Sequence, residues 1–114
     1  MKLTMLAAVL TTSALVTASA ALAGNSITFS PAAPTTTSGV SFTVSTGGGN
    51  RDFASVSVSC DNGYATVLTV EVPAKGTGTS QTIYPPAGNC VANLEKLMSI
   101  THSRVLATVS FTVT

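Results

Sequence analysis

Three stretches of this chain alternate apolar and hydroxylated residues with a period of two, and that pattern suits an extended strand. Val40, Phe42 and Val44 interleave with Ser41, Thr43 and Ser45, and Val56, Val58 and Cys60 with Ser55, Ser57 and Ser59. Near the end, Val105, Ala107, Val109, Phe111 and Val113 interleave with Thr108, Ser110, Thr112 and Thr114. Successive side chains of a strand point to opposite faces, so each stretch predicts one buried face and one hydroxylated face. β-Branched residues dominate all three, and their stiff side chains pack well on a half-buried pleated surface. Weaker stretches at 26–30, 64–72, 79–84 and 89–96 bring the expected strands to seven, although residues 93–99 also suit a single turn of helix.

The residues between these stretches are turn formers. Residues 31–39 are rich in Pro and Thr, 47–50 run Gly-Gly-Gly-Asn, and 73–78 and 85–88 each combine Pro with Gly. In Asp61-Asn62-Gly63, the Asn-Gly pair predicts a tight hairpin turn with positive φ angles. Residues 97–103 are read as the connection between the last two strands. Short strands broken by turns about every ten residues point to an all-β antiparallel sandwich.

The first 23 residues belong to a different physical class. Met1-Lys2 opens a run that stays apolar to Val16 and ends in Ala21-Leu22-Ala23, the anatomy of a secretory signal peptide. Thr and Ser interrupt the run too often for a membrane anchor, so residues 24–114 are expected to be a single exported domain, secreted or held at the cell surface, with no membrane span. Without Lys2 the chain keeps Arg51, Lys75, Lys96 and Arg104 against Asp52, Asp61, Glu71 and Glu95, a net charge of zero. A neutral domain has no field with which to attract phosphates, which argues against nucleic acid as a partner. Solubility then rests on hydroxyls, and 27 of these 91 residues are Ser or Thr.

Cys60 and Cys90 are the only cysteines, and an exported chain carries them to a compartment where disulfides persist. Pairing them closes a loop of about 31 residues, which stabilises by roughly 3–4 kcal/mol on the chain-entropy model. Two buried free thiols are the alternative.

The stretches at 40–44, 56–60, 87–94 and 105–113, with the two cysteines, resemble the immunoglobulin-like β-sandwich domains of small secreted and surface proteins of microbes. The resemblance covers nearly all of 24–114 and implies a sandwich of about seven strands that adheres, spaces or binds. Antibody-type domains join their second and sixth strands and carry a Trp and a corner Tyr. Here the cysteines fall on the third and sixth strands, Trp is absent, and Gly88 stands where that Tyr would be. The expected disulfide therefore bridges neighbouring strands within one sheet.

In an antiparallel sandwich every second loop lies at the same end. The loops at 47–53, 73–78 and 97–103 are thus expected to share a pole, with Arg51, Lys75, Lys96, His102 and Arg104 in or beside them. Leu97, Met98 and Ile100 add apolar residues that a plain connector does not need. Loops on a rigid sandwich are where such folds place binding residues. The expectation is a non-catalytic binding or adhesion module that contacts a protein or glycan there through Arg51, Lys75, Lys96, Met98, His102 and Arg104. The plainer explanation is that charges gather at strand ends and the apolar residues cap the core.

The other chemistries find little support. His102 is the one plausible general base, and among so many hydroxyls a nearby Ser carries no information. Asp52, Glu71 and Glu95 form no glycosidase motif. Residues 50–52 and 61–63 offer too few oxygens for calcium, and one His with two Cys leaves no metal or cofactor assigned. Tyr64, Tyr84 and Phe53 are a thin aromatic platform for sugars. The Thr-rich segment 35–38 beside Pro34 suits O-glycans or strand addition. A small secreted enzyme or enzyme inhibitor, and a structural coat or matrix component, are the alternative readings.

Overall fold

The computed structural model describes residues 19–21, 24–99 and 102–114, without the side chains of 19–21 and 97–99. Its strands are β1 (Ser19–Ala21), β2 (Ser26–Ser30), β3 (Ser41–Ser45), β4 (Asp52–Cys60), β5 (Ala65–Val72), β6 (Gly78–Thr79), β7 (Gly88–Ser99) and β8 (His102–Val113). One sheet has the order β2-β3-β6 and the other β1-β8-β7-β4-β5, with every pairing antiparallel. Strands β2 to β8 are the seven of an immunoglobulin-like sandwich. β1, an addition at the β8 edge, falls inside the segment read as a leader.

The alternation decides what meets between the sheets. Ile27, Phe42 and Val44 from the smaller sheet face Ala54, Val56, Val58, Leu68, Val70, Val72, Leu94, Val109 and Val113 from the larger, all buried. Each such aliphatic side chain contributes about 1.5–3 kcal/mol relative to exposure. At the centre the Phe111 ring lies 5.3 Å from that of Phe29 and 5.6 Å from that of Phe42, in tilted and edge-on contacts. The opposite face of the larger sheet carries Ser55, Ser57, Asn93, Thr108 and Ser110. There the Thr108 hydroxyl donates to Asn93 Oδ1 at 2.8 Å, and that of Thr112 to Asn89 Oδ1 at 2.9 Å.

Cys60 and Cys90 are bonded to each other and are register partners on β4 and β7, with Cα atoms 4.0 Å apart. The disulfide thus joins neighbouring strands of one sheet, as expected from the strand count.

Several details depart from the sequence expectation. Val105 is not on the core face: it is 48% exposed, whereas Leu106 and Ala107 are both buried. The register jumps from Leu94↔Ala107 to Glu95↔Val105, so Leu106 is an extra residue that inverts the alternation of everything before it. Residues 93–99 continue β7 and form no helical turn, and the described residues of the expected 97–103 loop lie in strands: Leu97 pairs with Ser103 and Ser99 with His102. Ile100 lies outside the described residues.

Of the expected strand at 79–84 only Thr79 lies in β6, beside Gly78. Ser80 is buried, its hydroxyl accepting the Phe42 N–H at 2.9 Å and donating to the Gln81 carbonyl. The side chain takes one place in the ladder while the Ser80 N–H still donates to the Phe42 carbonyl at 2.8 Å, and a full bridge follows between Val40 and Ile83. In the 61–63 turn only Gly63 has positive φ, at 93°. Asn62 acts through its side chain, accepting from Tyr64 N–H and donating to the Pro86 and Ala87 carbonyls.

Candidate functional site

The two ends of the sandwich are built differently. At the end holding 61–63 and 85–88, polar groups are turned inward on one another. Asp61 accepts from the Asn89 backbone at 3.1 Å and from its side-chain amide at 3.2 Å, while Asn62 bridges to Pro86 and Ala87. Nearby, Thr35 and Ser38 exchange side-chain-to-backbone hydrogen bonds at 2.9 and 3.0 Å. Thr114 is bracketed there, its N–H donating to Pro34 O and its carbonyl accepting from Thr36 N–H, both at 3.1 Å. The Thr-rich segment proposed for strand addition thus spends part of its backbone on the chain's own last residue.

At the other end, the connections at 46–51 and 73–77 touch: the Lys75 N–H donates to the Gly48 carbonyl at 2.8 Å. Lys75 holds φ 53°, the only described non-glycine residue with positive φ. Arg51 meets Glu71 at 3.0 Å, with both side chains at least half exposed. Lys96 meets Asp52 at 2.9 Å and holds the Asp52 carboxyl below the usual carboxylate range, helped by the Phe53 N–H and opposed by slight burial. Such exposed pairs orient side chains more than they stabilise.

Beyond Glu95, β7 no longer pairs with β4. Lys96↔Arg104, Leu97↔Ser103 and Ser99↔His102 continue as a two-stranded arm. A second register shift between Leu97 and Ser99 leaves Met98 unpaired in this ladder; its side chain is outside the described ones. His102, Ser103, Arg104 and Val105 are all exposed, so this end of β8 has no buried face. At the base of the arm Phe53, 62% exposed, points outward next to the Arg51–Glu71 pair.

The structure therefore gathers Arg51, Lys75, Lys96, His102 and Arg104 at one end of the sandwich, as the loop arithmetic expected, but on an arm as well as on loops. Two of these cations already have carboxylate partners. The sequence reading placed Phe53 in the 47–53 loop and in a sugar platform, and Val105 in the core, so it named apolar residues of this surface on 97–100 but missed the contribution of Phe53 and Val105, both exposed. Phe53 opens the Phe53-Ala54-Ser55 alternation on the outward phase, the one signal available for it. Of the other two aromatics, Tyr64 packs against the core and Tyr84, 61% exposed, lies toward the opposite end, so no shared platform forms.

Among the described residues no three His, Cys, Asp or Glu side chains group as metal ligands, and no helix is long and apolar enough to cross a membrane. Comparison of the chain with family models, with curated proteins and with solved structures returned no match.

Proposed function

We propose that residues 1–23 direct export and are removed, and that residues 24–114 act outside the cytoplasm as a non-catalytic binding module. Its ligand is a protein or glycan, contacted at the arm end through Phe53, Val105 and Arg104, with Arg51, Lys75, Lys96, Met98 and His102 around them. The observation that carries this reading is the exposure of four consecutive strand residues, His102 to Val105. A strand with no buried face gains nothing from the core, and an apolar centre beside charged groups is the usual composition of a contact surface.

The test is capture of glycans from an array and of proteins from cell-surface extracts by the processed chain. Phe53→Ala and Arg104→Ala should each weaken capture about tenfold, in the range of a contact residue that matters, while Tyr84→Ala should leave it unchanged. Equal loss in all three variants, or none in any, refutes this use of the arm.

A further inference from the structure

The strand at the β8 edge is contributed by β1, whose Ser19, Ala20 and Ala21 pair with Val109, Thr108 and Ala107. All three residues belong to the leader in the function proposed above, so export would strip the edge. We propose that the uncovered β8 edge pairs with the same edge of a second copy of this chain, making a two-fold symmetric dimer with one continuous sheet. The inference rests on leader removal and is independent of what the arm binds.

The backbone directions come from the far end of β8. Thr114 directs its N–H and C=O away from β7, toward Thr36 and Pro34. In an antiparallel ladder both groups of one residue point to the same side and alternate along the strand. The register with β7 is unbroken from Val113 to Ala107. Thr112, Ser110 and Thr108 therefore also turn their hydrogen-bonding groups to the edge, and Ala20 pairs opposite the last of them.

The open stretch has two built-in limits. Toward the arm it ends at the Leu106 bulge, and at the other end at the Pro34–Thr36 segment that occupies Thr114. Between them lie Ala107 to Val113, centred on Ser110. Laid antiparallel on itself about Ser110, this stretch sets Thr108 opposite Thr112 of the second copy, Ser110 opposite Ser110, and Thr112 opposite Thr108. All three are positions whose backbone groups face the edge, so each pair exchanges two hydrogen bonds. Ala107, Val109, Phe111 and Val113 of both copies stay on the inner face, which keeps the register consistent with the core.

The composition of the stretch removes the usual obstacles. Natural edges are blunted by charges, Pro or bulges, and Ala107 to Val113 contains none of these. Arg104 and His102 lie beyond the bulge, and antiparallel stacking sends the two arms in opposite directions, so no cation meets its counterpart. Net neutrality of residues 24–114 adds no long-range repulsion between copies. The other sheet edge, β5, carries Glu71 in its ion pair with Arg51 and has no strand seated on it in this register.

The experiment exports the full chain from a secreting host and measures the purified product by intact mass and by light scattering over a concentration series. A mass starting near Gly24 together with a concentration-dependent dimer is expected. Ser110→Pro removes a single edge donor and should give monomer at every concentration. Because a proline can also disturb folding, Ser110→Cys, which leaves the edge backbone intact, provides a second readout. Hydrogen-bonded partners have Cα atoms about 5.5 Å apart, within disulfide reach, so oxidation should link two copies through Ser110→Cys and not through Thr69→Cys on β5. Processed chain that stays monomeric, or grows into open-ended polymers, overturns the symmetric pairing while leaving the arm reading intact. Unprocessed chain overturns leader removal and the uncovering with it.

Discussion

Gly78 on β6 lies against Val70 and Glu71 of β5. A methyl group there would run into the Glu71 carbonyl oxygen and lie 2.9 Å from Val70 Cγ1, with backbone as the main obstacle. Its φ is not positive, so the requirement is for space alone. Gly78→Ala should therefore destabilise by about 1–3 kcal/mol, the usual cost of overpacking, whereas Gly49→Ala, with nothing within 4 Å, should be near neutral. Urea unfolding of the two variants checks this, and equal midpoints would falsify it. Asp52 supplies a second prediction at this scale. Its folded pKa is depressed, chiefly by Lys96, so the pair's contribution is present above the unfolded carboxylate value near 4 and is lost as pH falls through the lower folded value. Lys96→Ala should raise the Asp52 midpoint, followed by carboxyl-carbon NMR; an unmoved midpoint would show that Lys96 is not the cause. Neither residue was legible in this role. Both roles depend on a neighbour distant in sequence: Glu71 lies on another strand, and Lys96 is 44 positions from Asp52.

Among the elements, β4 and β7 are joined both by their ladder and by the disulfide, and this pairing was legible because the strand count put both cysteines on adjacent strands. Replacing both cysteines by Ala frees a loop with a sequence separation of 30 and should cost about 3–4 kcal/mol. Calorimetry under identical buffer checks it, and a loss below about 1 kcal/mol would mean that the bridge restricts the unfolded chain far less than loop closure requires. The two failures at this scale share a cause. Period-two reading assumes an unbroken register, and Leu106 and Ser80 each break one. Leu106 is an extra residue, visible only once β7 is known to lie beside β8. Ser80 is a hydroxyl that replaces a backbone partner of Phe42, and serine is so common in this chain that nothing marks one residue as buried.

For the whole molecule, the alternation and the turn formers were enough to specify two sheets about one core. Every apolar residue of the 40–44 and 56–58 stretches is buried as expected. Which end holds the cations was legible from loop parity, but the arm was not. On the β8 side of the arm no alternation marks the strand, because His102 to Val105 are all exposed. The ends of residues 24–114 also lie at opposite poles. Gly24 is packed against Gly47 at the arm end, while Thr114 is tied between Pro34 and Thr36 at the far end. A tether joined after Thr114 would hold the domain upright on a surface with its arm directed outward. One joined ahead of Gly24 would press the arm against the support, so the choice of attachment point alone would decide whether an immobilised copy is accessible to a ligand.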